Sequence, residues 1–137
     1  MTQTDKELLL KDLCGRLPYG VKVKFGDSKP ALLTVIEHDE FGWRIGSEDE
    51  FGGMITIIDN VKPYLFPLSS MTDEDYAIYS KIWEDTGKTN YLEGCHHLIC
   101  TIKAYKTAND YLLSKHYDIN GLIPMGLAID ATDKNIY

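Results

Sequence analysis

The chain is poor in the residues that most readily announce a chemistry. It holds three cysteines, Cys14, Cys95 and Cys100, an odd number without paired spacing. That argues against a disulfide framework and fits a reducing compartment. No apolar run approaches the roughly 18 residues a membrane span needs. Met1-Thr2-Gln3-Thr4-Asp5 also lacks the basic-then-apolar layout of a secretory signal. The expected location is the cytoplasm, with no membrane partner. Positive charge is short as well: 14 Lys and Arg against 21 Asp and Glu leave a net charge of −7. This works against binding a phosphate backbone, so nucleic acid is not an expected partner. Glycine-rich phosphate loops are missing, because Phe41-Gly42 and Phe51-Gly52-Gly53 have neither a following Lys-Ser/Thr nor a strand-to-helix setting. They read as bends in strands.

What is present is fold signal. At 137 residues and 44% hydrophobic content, the chain is the size of one domain able to bury a core without staples. Thr4 and Glu7 read as a capping box. Leu9, Leu10, Leu13, Cys14 and Leu17 recur on one face, which predicts a helix over 5–15 stopped by Gly15 and by Pro18 beyond it.

The period then falls to two. Val21, Val23 and Phe25 alternate with lysines, Ala31 to Glu37 is β-branched, and Phe41, Trp43 and Ile45 alternate again after a turn at His38-Asp39-Glu40. Met54 to Ile58 and Val61 to Leu68 complete a β-meander over 20–68, with Pro63 and Pro67 placing the last strand on an edge. Five short strands of this kind predict a small bent or barrel-like antiparallel sheet.

Thr72 with Asp75 marks an N-cap, and Met71 with Tyr76 a hydrophobic staple, for a helix over 72–87 that presents Tyr76, Tyr79, Ile82 and Trp83. Residues 91–105 fit either state, and the pattern leans to a helical start and an extended end. Thr107, with Asp110 three residues on, caps a third helix within 107–118. An apolar segment at 121–130 follows. The fold class is therefore α+β: an N-terminal helix, a sheet of about five strands, then two or three helices packed on it.

Three blocks stand at the joints of these elements: Asp12-Leu13-Cys14-Gly15-Arg16-Leu17-Pro18-Tyr19-Gly20, Lys62-Pro63-Tyr64-Leu65-Phe66-Pro67-Leu68-Ser69-Ser70-Met71-Thr72, and the run Tyr117 to Ala128. Together they resemble a family of small uncharacterised proteins encoded by Bacteroides-type gut bacteria, their phages and their mobile elements. The resemblance covers both ends and the middle of the chain, and the block from Lys62 to Thr72 is its most specific part. It implies a single-domain intracellular protein of mobile-element origin and carries no activity with it. The chain departs from the pattern at Phe66 and Asn120, where arginine would be expected.

The densest set of metal-ligand types is Cys95, His96, His97 and Cys100, in which His96 and Cys100 share a face in a helix or a strand. Zn²⁺ is the ion such a cluster would take. It would need further ligands such as His116 or Cys14, since no second CxxC or HxxxH is present, so no cofactor is expected. The plain reading is that the thiols pack in the core. Cys14, at a helix C-terminus, is a poor nucleophile for the same reason that the dipole raises its pKa there, and packing is its expected role.

Carboxylates gather at Glu37-Asp39-Glu40, Glu48-Asp49-Glu50 and Asp73-Glu74-Asp75. The last group complements a helix N-terminus and the others are solvated turns. Nine tyrosines and two tryptophans exceed what one small core readily hides, and Tyr19, Phe41, Trp43, Phe51 and Tyr64 lie on or beside the strands. They either fill the seam between sheet and helices or form a partner-binding face. The leading reading is a non-enzymatic interaction module whose partner is a protein, another copy of the chain included. The competing readings are a small metal-binding protein or enzyme built on the Cys95 to Cys100 cluster, and an acidic DNA mimic.

Overall fold

The computed structural model describes residues 1–48, 53–93 and 97–137, those at 86–93 and 97–100 as backbone. The architecture is α+β. Helix α1 (Gln3–Arg16) leads through a short 3-10 turn at Leu17–Tyr19 into β1 (Lys22–Phe25), β2 (Ala31–Leu32), β3 (Val35–Asp39), β4 (Gly42–Ser47) and β5 (Met54–Ile57). After β6 (Val61–Leu65) come helices α2 (Asp73–Glu93) and α3 (His97–Ser114), and a last short strand β7 (Ile129–Asp130). These strands form two sheets, ordered β2-β1-β6-β7 and β3-β4-β5, which do not close into a barrel among the described residues.

Helix α1 starts one capping box earlier than the sequence suggests. The Asp5 amide donates to Thr2 Oγ1 at 3.1 Å and the Thr2 amide to Asp5 Oδ2 at 3.0 Å, which adds helix ahead of Thr4. Gly15 does not stop the helix: it lies within it, where an added Cβ would touch Leu113 Cδ1 at 3.6 Å, so it serves the contact with α3. The left-handed turn falls to Gly20 (φ 74°), which launches β1.

The expected strand from Ala31 to Glu37 is two strands in two sheets. Its first part pairs with β1 and its second with β4. Leu33, at the corner, is buried in the core and donates its amide to the Val21 carbonyl. The edge position expected for β6 is also corrected, since this strand is central, antiparallel to β1 and parallel to β7. Pro63 fits there because β7 pairs only with Tyr64 and Leu65, so the ladder on that side starts after the residue that lacks an N–H.

Beyond the sheet, α2 passes Gly87, which costs about 1 kcal/mol in a helix interior and is no obligatory stop. The ambiguous stretch from 97 onward is helix throughout, not an extended end followed by a capped helix. Thr107 is mid-helix and turns its hydroxyl to the Lys103 carbonyl at 3.0 Å. In the C-terminal segment Leu122, Leu127 and Ala128 join Leu9, Leu13, Val23, Ile45 and Leu65 in one core.

Arg16 and Asp12 of the first joint block are buried in that interior, Arg16 with 0% exposure. Arg16 grips Asp12 from Nε (2.6 Å) and Nη2 (3.0 Å). Asn120 adds its side-chain amide to Asp12 Oδ1 at 2.8 Å, and Asp118 accepts the amides of Leu122 and Ile123. Two of the three joint blocks are thus tied to each other by one polar network.

Candidate interaction surface

The three-stranded sheet carries the most conspicuous exposed side chains. Its β3–β4 hairpin pairs Asp39 with Gly42, so Glu40 and Phe41 form the tip. Gly42, at φ 113°, takes a backbone conformation that side-chain-bearing residues avoid. Asp39 then organises the tip. Its Oδ1 accepts the Phe41 amide at 2.8 Å, an Asx-type turn, and its Oδ2 accepts from Arg44 Nε. The Arg44 bond first, and the Phe41 amide second, hold the Asp39 carboxyl below its ordinary pKa of 3.8, so it stays ionised at neutral pH. Arg44 completes the cluster with its guanidinium carbon 5.9 Å from the centre of the Phe41 ring. The outcome is an aromatic ring that is 76% exposed yet tethered through its backbone and its face.

Register sets the neighbours. Arg44 stands opposite Ile57 and Gly46 opposite Ile55, which puts both isoleucines on the Arg44 face of the sheet. Both are exposed, as is Met54. Gly46 permits this packing: an added Cβ would meet Ile55 Cγ1 and the Met54 carbonyl oxygen at 2.9 Å each. Trp43, 43% exposed, belongs to the opposite parity and meets His38 edge-on across the strand pair at 4.9 Å. Between the hairpin and the start of α1 lies a cleft of about 450 Å³ lined by Leu10, Phe41, Trp43 and Ile57. The Lys6–Asp59 ion pair (3.0 Å) stands at its rim.

Of the five aromatics the sequence singles out, the structure brings Phe41 and Trp43 to this surface. Tyr64 is withdrawn from it: at 7% exposure it is buried on the central strand β6. Tyr19 is half-buried in the 3-10 turn after α1, and Phe51 lies outside the described residues. The same holds for the side chains of Cys95, His96, His97 and Cys100. Among the described residues no group of three His, Cys, Asp or Glu is placed to hold a metal ion. Cys14 is a free, exposed thiol instead of a packed one, and partial burial raises its pKa.

Sequence reasoning missed Asp39 and Arg44 as organisers of the tip. The available signal was an Asp two residues ahead of an aromatic, the local spacing of an Asx turn. No family model matches the chain, and neither a curated protein nor a solved structure shows significant similarity to it.

Proposed function

We propose that this chain is a non-enzymatic protein-interaction module, of the mobile-element kind its three joint blocks resemble, and that the β3–β4 hairpin is its anchor. The observation that carries this reading is the tethered, 76%-exposed Phe41. Scattered surface hydrophobics need no explanation. A ring fixed by an Asx turn and an arginine, sharing its cleft with Trp43 and Ile57, has already lost the freedom that binding would otherwise take from it. Aromatic residues and arginine dominate interface energetics when they are held this way. The partner is a protein with an apolar pocket for Phe41, and the cleft against α1 receives a side chain in return.

The test is a photo-crosslinker in place of Phe41, expressed in the source cell. A discrete adduct that is lost when Arg44 is changed to Ala supports the reading, and its mass shows whether the partner is a second copy. Absence of any adduct, with wild-type retention of every co-purifying protein by Phe41→Lys, would sink it.

A further inference from the structure

A separate cleft of about 520 Å³ opens where the end of α3, the start of α2 and the residue after β6 meet. On it stands Asp75, in the first turn of α2, where its amide bonds to Thr72 Oγ1 at 3.1 Å. Each carboxylate oxygen accepts one phenol: Oδ1 from Tyr111 at 2.7 Å and Oδ2 from Tyr117 at 2.6 Å. These bonds, that of Tyr117 foremost, hold Asp75 below its ordinary pKa of 3.8, so it is an anion at neutral pH. Among the described residues no Lys or Arg reaches it within ion-pair distance. Lys115, on the rim, lies with its ammonium 6.0 Å from the centre of the Tyr111 ring.

The walls are largely aromatic, with Lys115 and Asp133 at the rim. Phe66 sits with its ring centroid 6.4 Å from Tyr117 and 5.8 Å from Tyr137, and Tyr137 stacks on His116 at 3.8 Å. His116 is placed by an unusual backbone. It takes φ 66° at the C-terminal stop of α3, and its amide and that of Tyr117 return to the Leu113 and Leu112 carbonyls. Glycine is the usual occupant of such a stop, so an imidazole there is held in place against backbone preference. Burial, then Arg16 and Lys115, lower its pKa to about 4, which keeps the ring neutral. Its Nδ1 is buried without a partner among the described residues.

A carboxylate whose neighbouring ammonium, Lys115, stays beyond ion-pair distance, beside faces of electron-rich rings and a neutral imidazole, presents negative potential and apolar area together. An anion would meet Asp75 and the rim carboxylate of Asp133. We propose that this cleft binds an organic cation, an alkylammonium whose head meets Asp75 and whose stem lies against Phe66, Tyr117 and Tyr137. The head can come from a free polyamine or from a lysine side chain of another protein. This site is independent of the hairpin surface, and either can fail alone.

The experiment follows the ring resonances of Phe66, His116 and Tyr137 by NMR while n-butylammonium is added, with n-butanol as the neutral control. The expected result is saturable shifts with the cation alone, roughly tenfold weaker in Asp75→Asn, the size of one lost charge contact. Lys115→Glu leaves the Tyr111–Asp75–Tyr117 bonds in place, removes the competing ammonium and tightens binding several-fold. That variant decides the matter if Asp75→Asn does not fold. Spermidine and an N-acetylated lysine amide are then compared, and tighter binding of one assigns the source. Equal shifts with butanol, no saturable shift, or affinity unchanged by Lys115→Glu would overturn the proposal.

Discussion

Arg16 Nη2 donates a 2.7 Å hydrogen bond to the carbonyl oxygen of Tyr117, 101 residues further along the chain. The same guanidinium holds Asp12 in two bonds, and its Nη1 has no partner among the described residues. A buried charge satisfied this way depends on every member of its network, since removal of one leaves the others desolvated and unpaired. Asp12→Ala should therefore cost about 3–5 kcal/mol in stability. The double replacement Asp12→Leu with Arg16→Met should cost less than Asp12→Ala alone, because it removes both charges. Urea unfolding midpoints of the three proteins test this. An Asp12→Ala loss smaller than that of the double variant would contradict it.

Gly46→Ala should weaken the three-stranded sheet. The new methyl would meet the Met54 carbonyl oxygen and Ile55 Cγ1 at 2.9 Å. The first of these is backbone and cannot step aside, so overpacking by about 1–3 kcal/mol is expected. Hydrogen exchange should report faster opening of β4 and β5 than of β1 and β6. Uniform acceleration through both sheets would mean that the clash is relayed through the whole core.

Phe41→Ala should leave folding nearly untouched, within about 0.5 kcal/mol, as exposed positions do. It should reduce partner capture more than Trp43→Ala does, since Trp43 is partly covered by His38. Thermal unfolding and capture measured on the same samples separate the two effects. Equal losses of stability and capture would assign Phe41 to structure.

The pH profile follows from three groups. Burial, then Arg16 and Lys115, keep His116 neutral to about pH 4, whereas in the unfolded chain it takes a proton near its ordinary 6.5. As pH falls through that window the unfolded state binds more protons and stability drops. Asp75, held ionised by the Tyr117 bond first, then by those of Tyr111 and Thr72 and by the charge of Lys115, extends the loss below 3.8. At the alkaline end Tyr111, raised first by burial and then by Asp75, keeps its proton to about 12 against an ordinary 10, so stability should fall as pH rises past the lower value. His116→Asn should flatten the limb from pH 6.5 to 4 while leaving the limb below it. Urea midpoints across pH, with an imidazole NMR titration of wild type, decide it. A His116 midpoint near 6.5 would refute the assignment.

How much of this was legible depended on how local each cause was. The Thr72–Asp75 cap could be read directly, because its donor and acceptor lie three residues apart. Phe41 stood out through an aromatic surplus, yet its fixing by Asp39 and Arg44 required the hairpin register. Tyr64 was misplaced because alternation assigns one face per residue, whereas Pro63, Tyr64 and Leu65 are all buried on this central strand. Arg16 could not be placed at all from its own neighbourhood. A charged residue reads as solvated until the Tyr117 carbonyl arrives from the far side of the fold. His116 was hidden for a similar reason, since nothing in its neighbourhood marks a histidine forced into the left-handed region.

Strand β6 lies between β1, made early in the chain, and β7, made near its end. Tyr137 fastens the same sheet, giving its hydroxyl proton to the Tyr64 carbonyl and accepting from the Lys22 amide. On the ribosome, where residues emerge at about 5–20 per second, the β3–β4–β5 hairpins can form as soon as they appear. The sheet around β6 and the Arg16 network must wait for the final segment. A nascent chain stalled before Tyr117 would thus hold Arg16 against Asp12 alone, without the Tyr117 carbonyl, and leave β6 with an uncovered edge, which makes that stage the one at which a chaperone would find it.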